Sequence, residues 1–166
     1  LEDGKYVIYC PGYGKALSST KSSGNSNYNA GVDMTLSDGT FESVVETEVF
    51  TITNNNDGTI TISQGDDKLS MDTNYSSTPM NKANDTWTLE DAGDGLYYIK
   101  NEGRSAYLEW YDSKSYYSAY GTIASGSEGM FAMQFVPVTA DQIIGGGSGG
   151  EEEAEPTIAN GPYFIY

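Results

Sequence analysis

Asp3-Gly4-Lys5-Tyr6-Val7-Ile8, Asp57-Gly58-Thr59-Ile60-Thr61-Ile62 and Asp94-Gly95-Leu96-Tyr97-Tyr98-Ile99 are one motif written three times. Each joins a tight-turn dipeptide to an alternating, strand-like run. A short turn and a leucine follow each copy: Lys15-Ala16-Leu17-Ser18, Asp67-Lys68-Leu69-Ser70 and Ala106-Tyr107-Leu108-Glu109. Each unit then closes on an aromatic strand, at Phe50-Thr51-Ile52, Trp87-Thr88-Leu89 and Phe135-Val136-Pro137-Val138. Self-similarity of this kind marks supersecondary units that bury their apolar faces only against one another. The units span roughly 1–53, 54–91 and 92–138, with roughly a dozen short strands in all. The expected class is all-β, with three units about a pseudo-threefold axis and their leucines and aromatics meeting at the centre. A β-sandwich is the rival, since many short strands with regular turns suit it too. The threefold period argues against it.

Between these anchors the turn chemistry is legible. Pro11-Gly12-Tyr13-Gly14 reads as a turn, and residues 19–31, rich in Ser, Asn and Gly, as a long loop. Val32-Asp33-Met34-Thr35-Leu36 alternates as a strand, Ser37-Asp38-Gly39-Thr40 is a hairpin signal, and 48–53 is a further strand. Domain organisation is expected as a domain over 1–138 and an acidic linker over 139–156. One helical turn at 139–144 precedes the Gly run and the Glu run within it. Residues 157–166 end in Asn160-Gly161-Pro162-Tyr163-Phe164-Ile165-Tyr166, which resembles the opening of unit one. This tail either begins a second copy or pairs with an exposed sheet edge, in cis or in a neighbouring molecule. Because the chain opens inside the first motif, a longer parent protein is expected.

Composition narrows the function. The net charge is −16, with eight Lys plus Arg, so a nucleic-acid footprint is missing and anionic membrane is disfavoured. No run approaches the roughly twenty apolar residues of a membrane span. The absence of histidine removes the commonest general base and the commonest metal ligand. The single cysteine, Cys10, makes no internal disulfide and reads as a small structural residue. Asp57, Asp66, Asp67 and Asp72 lack a calcium-loop spacing and suit turns instead. No cofactor, metal or catalytic set is called for. The composition has an extracellular, bacterial character.

Fourteen tyrosines exceed what a core needs, because each buried hydroxyl wants a partner. They crowd unit three, where Tyr107, Glu109, Trp110, Tyr111, Tyr116 and Tyr117 form the candidate ligand site, with Asn101 as a polar helper and Tyr120 close by. In a strand, Tyr107, Glu109 and Tyr111 share one face, while Leu108 and Trp110 share the other. Asp112 and Ser113 mark an end of the strand near Trp110, which would free the indole for a ligand. Rings beside a carboxylate and amides suit a sugar, whose C–H face stacks while its hydroxyls donate. The competing reading is an aromatic cap over one end of the barrel.

The Asp-Gly-x-Tyr-x-Ile openings, the three leucines and the closing Phe50, Trp87 and Phe135 resemble the β-trefoil of ricin-B-type lectin domains over residues 3–138. The closing Gln-x-Trp of that family has Glu48, Asp85 or Met133 at its first position here. The resemblance implies a sugar-binding acid after each leucine. Those positions are Ser18, Ser70 and Glu109, so only unit three keeps an acid. The first opening motif, Lys15-Ala16-Leu17-Ser18 and Tyr107-Leu108-Glu109-Trp110-Tyr111 are also similar to repeated accessory modules of large secreted proteins of gut Gram-positive bacteria. The resemblances imply a noncatalytic module, most simply a glycan binder, on a secreted or cell-surface multidomain protein. The alternative is a structural or protein-interaction module that spaces or pairs domains.

Overall fold

In the computed structural model, which describes residues 1–144, the three units form one body of short strands. Unit one contributes β1 (Gly4–Cys10), β2 (Lys15–Lys21), β3 (Asn29–Asp33), the two-residue β4 (Val44–Val45) and β5 (Phe50–Asn54). Unit two contributes β6 (Ile60–Gln64), β7 (Asp67–Lys68) and β8 (Trp87–Gly93). Unit three contributes β9 (Leu96–Asn101), β10 (Ala106–Tyr111), β11 (Tyr116–Tyr120) and β12 (Ala132–Pro137), and β13 (Ile143–Ile144) follows.

Six strands run round as β1-β12-β9-β8-β6-β5, and β5 pairs back onto β1, closing a barrel. Hairpins β2–β3 and β10–β11 extend from it. Unit two replaces its hairpin with the loop after β7, where the isolated bridges Leu69↔Met80 and Met71↔Asn84 stand in for a ladder. This is the β-trefoil. Closure excludes the sandwich, because among the described residues the large sheet closes on itself and the other sheet is only the two-stranded β4–β13 pair.

The repeated residues fill the centre. Leu17, Leu69 and Leu108 are fully buried, in one cluster with Phe50, Trp87 and Phe135. The indole of Trp87 donates to the Leu69 carbonyl at 3.0 Å, tying the closing aromatic of unit two to its own leucine. Cys10 lies in this core with its thiol 3.2 Å from the Gly129 carbonyl. Burial pushes that thiol up to about 11, which suits a structural residue.

The three Asp-Gly motifs do different local work. At Asp94-Gly95 both residues have positive φ, 55° and 78°, giving the two-residue hairpin turn whose twist matches its strands. Asp57 instead accepts from the backbone and hydroxyl of Thr59, and Asp3 from the backbone and side chain of Asn54. Asp67 accepts from Asn81 and Asp72 from Thr73, so these acids serve turns and loops.

Unit one departs from the repeat. β2 runs on to Lys21 and β3 begins at Asn29, so the loop expected over 19–31 shrinks to 22–28. The strand expected over 32–36 ends at Asp33. Met34 and Leu36 instead pack on a second core with Val7, Tyr9, Phe41, Val44, Val49 and Val136. β1 is thereby covered on both faces. Ser37-Asp38-Gly39-Thr40 does form a tight turn, with positive φ at its two central residues. Glu48 is not in a strand but in a 3₁₀ turn, accepting from the Val45 amide.

The body also continues past residue 138. Ala140–Gln142 form a 3₁₀ turn, the side-chain amide of Gln142 donates to the Phe41 carbonyl, and β13 pairs in parallel with β4. The folded domain therefore reaches Ile144. The rest of the expected linker, 145–156, and the tail at 157–166, with the second copy or edge pairing expected of it, lie outside the described residues.

Candidate functional site

The β10–β11 hairpin sets the site. Its register places Tyr107 opposite Tyr120, Glu109 opposite Ser118, and Tyr111 opposite Tyr116. The period of two puts these six side chains on one face and Leu108, Trp110, Tyr117 and Ala119 on the other. The second face enters the core. The first looks into a cavity of about 450 Å³, lined by Glu109, Tyr111, Tyr116, Ser118 and Tyr120, and closed by Thr122, Met130 and Phe131 from the following loop.

Glu109 lies at the floor, 6% exposed, and its Oε1 accepts from the Ser118 hydroxyl at 2.9 Å. Its second oxygen has no partner among the described residues. Burial raises the pKa of this carboxyl, and the Ser118 hydrogen bond pulls the other way. Tyr120 stands 62% exposed at the rim, and Tyr111 meets Tyr116 edge-on with centroids 6.0 Å apart. Apolar ring walls, one under-coordinated carboxylate and several hydroxyls give the cavity a surface that is part apolar and part hydroxylic. Glu109 is the sole acid among the lining residues. The paired carboxylates of glycoside hydrolysis are therefore not assembled there.

One lining residue, Ser76, comes from unit two, and Tyr28 of unit one is hydrogen-bonded to it. Ser76, in the unit-two loop, accepts the Ala119 amide on its carbonyl at 2.9 Å and shares a 2.8 Å hydrogen bond with the Tyr28 hydroxyl. The Tyr28 ring stacks on Tyr116 at 4.0 Å, nearly parallel. This wall joins all three units. The chain's single arginine braces it from behind, because Arg104 donates to the Asp72 and Tyr75 carbonyls of the same loop.

The expected site residues thus separate. Glu109, Tyr111 and Tyr116 line the cavity together. Tyr107 shares their face but lies beyond the cavity, donating to Glu90 at 2.8 Å with the Lys100 ammonium 5.5 Å from its ring. Trp110 does not turn outward. β10 continues to Tyr111, and the indole is 2% exposed against Tyr117 and Gly31, donating to Asp112 at 2.9 Å. Asp112, read as the mark of a strand end, is the partner that lets this indole be buried. Tyr117 is fully buried with its hydroxyl on the Lys15 carbonyl. Asn101 is buried between the Asn84 carbonyl and the Arg104 amide. Ser76 and Tyr28 were not foreseen, and no local pattern marks them, since Ser76 reaches the cavity, and Tyr28 the Tyr116 ring that walls it, from loops of other units.

No family model matches the chain, and no curated protein matches it by sequence. Solved structures do resemble it. The designed threefold-symmetric protein ThreeFoil is 17% identical with a TM-score of 0.60, over 82% of this chain and 100% of that one. SeviL, solved bound to asialo-GM1 saccharide, is 14% identical with a TM-score of 0.60, over 83% of this chain and 100% of that one. A GlcNAcα1-4Gal-releasing endo-β-galactosidase from Clostridium perfringens is 14% identical with a TM-score of 0.62, over 82% of this chain and 33% of that one. The likeness is one of fold. Among the described residues, no helix is long and apolar enough to cross a membrane.

Proposed function

We propose that this trefoil is a noncatalytic carbohydrate-binding module and that the unit-three cavity is its sugar site. The observation that carries the reading is Glu109. It is a buried carboxylate with one free oxygen, ringed by Tyr111, Tyr116 and Tyr120. Such an oxygen accepts sugar hydroxyl protons, while the rings cover the C–H face. Resemblance of fold to a protein solved with a bound saccharide supports the reading without naming a sugar. In this reading Glu109 receives hydroxyls, Tyr120 and Tyr111 stack, and Ser118 orients the carboxylate. Its placement as an accessory module of a secreted or cell-surface bacterial protein rests on composition and on the sequence resemblance.

A broad glycan array probed with the full chain and with Glu109→Gln tests the reading. The expected result is a reproducible set of hits that the variant loses while remaining folded. A folded chain that binds no glycan would instead favour the interaction-module alternative.

A further inference from the structure

A second cavity, of about 640 Å³, lies between the unit-one turn at 22–28 and the unit-two loop. It contains none of the positions that follow the repeated leucines, so it is not a copy of the unit-three site. Tyr28 lines it on one side while stacking on Tyr116 of the first cavity. Ser77 lines it beside Ser76, which lines the first. One wall, the Tyr28–Ser76–Tyr116 group, therefore separates two openings.

The chemistry of the second cavity differs from the rest of the surface. Lys21 and Lys82 line it, two of eight cationic side chains in a chain of net charge −16. Neither is ion-paired among the described residues, where Lys15–Asp33 is the salt bridge formed. The acid that lines it, Asp72, directs Oδ1 to the Thr73 amide at 2.7 Å. Tyr75 offers a ring 65% exposed. A local positive excess next to an open ring suits a ring-shaped ligand carrying one anionic group. The overall negative charge repels a polyanion. At physiological salt, however, screening over about 8 Å leaves a single local charge free to be read by the lysines.

We propose that this cleft is a second subsite of the same glycan site, and that the preferred ligand is an oligosaccharide bearing one acidic sugar. In this arrangement a neutral sugar occupies the Glu109 cavity. The chain passes over the Tyr28–Tyr116 wall, and the carboxylate or sulfate of a neighbouring residue lies between Lys21 and Lys82, with Tyr75 against its ring. The inference rests on the glycan-binding reading above.

The test uses the full chain and matched glycan pairs, each neutral oligosaccharide beside its sialylated, uronate-bearing or sulfated counterpart. The double variant Lys21→Gln/Lys82→Gln is compared with wild type in low salt and in about 1 M salt, where the screening length falls to about 3 Å. Both lysines are exposed, so the variant keeps the fold. The acidic member of a pair should bind about tenfold more tightly, the scale of a charge-assisted hydrogen bond. That preference should vanish in the double variant and in high salt, with neutral binding unchanged. The three acidic arms identify which oxyanion is read. Equal binding of neutral and acidic members, or a preference that survives in the double variant, overturns the subsite and leaves the Glu109 site standing. A wild type that binds no glycan overturns both.

Discussion

Ser70 and Glu109 occupy the same place in two copies of one unit, directly after a fully buried leucine. In unit two the position is closed. The Ser70 hydroxyl donates to the Pro79 carbonyl at 2.6 Å and accepts from the Lys82 amide at 2.7 Å, so the long loop after β7 folds down over it. In unit three the position is open. A tight hairpin takes the place of the loop, and Glu109 lies in a cavity with an oxygen to spare. Unit one is intermediate, since Ser18 bonds only within its strand, to Thr20. The leucine serves the barrel in every unit, whereas the residue after it either secures a loop or faces a cavity. One repeat thus supports two outcomes, and connection length decides which.

The largest effect expected concerns the face of unit three that serves the core. Trp110→Ala should destabilise the domain by about 3–5 kcal/mol in urea melts, as large-to-small core changes do. Gly31→Ala should be damaging for the same reason, because a Cβ there collides with the Trp110 ring. A well-folded Trp110→Ala that merely lost ligand binding would return the indole to the surface.

Next comes the closed position. Ser70→Ala removes the acceptor of the Lys82 amide and one of two hydrogen bonds on the Pro79 carbonyl, which keeps the Ser70 amide, and should cost about 0.5–1.5 kcal/mol. Ligand binding at unit three should weaken with it, since the same loop carries Ser76. An unchanged midpoint would mean that the loop is held elsewhere, chiefly by Arg104.

Glu109→Gln should act in the opposite sense on stability. Burial raises the Glu109 pKa, so the fold favours its protonated form. That favourable contribution is complete below the ordinary carboxylate range and is lost as pH rises through the raised pKa. At pH 7 the charged carboxylate is therefore a liability. The Gln variant should melt at a higher temperature than wild type there. The gain should disappear in acid, where wild type is protonated too. Ligand binding should fall in wild type over the same pH interval, because a protonated carboxyl accepts fewer hydroxyl protons. A variant less stable than wild type at pH 7 would mean that the carboxylate is structural. The smallest effect belongs to unit one, where Ser18→Ala should cost under about 1 kcal/mol, because its partner Thr20 lies near the surface.

The fold was legible because its determinants are local and repeated. The Asp-Gly turns, the leucines and the closing aromatics each recur at fixed places, and each holds its expected position in the barrel. The candidate cavity was legible in part. Glu109, Tyr111 and Tyr116 follow from strand alternation, and that same alternation placed Trp110 inward. Asp112 misled because a polar residue after a tryptophan marks a strand end as readily as it marks an indole's partner. Tyr117 and Asn101 likewise find backbone carbonyls at Lys15 and Asn84, which no local pattern reveals. Ser76 and Tyr28 were out of reach because the wall they build forms only when three units meet.

The central claim is that the three pseudo-equivalent positions differ in function. Amide chemical-shift mapping of the full chain, titrated with a glycan selected on the array, tests it most directly. The account predicts shifts at Glu109, Tyr111, Ser118 and Tyr120 and across the Ser76 loop, with the amides of Ser18 and Leu69 unmoved. Equal shifts after all three leucines, or shifts confined to unit one or unit two, would contradict it.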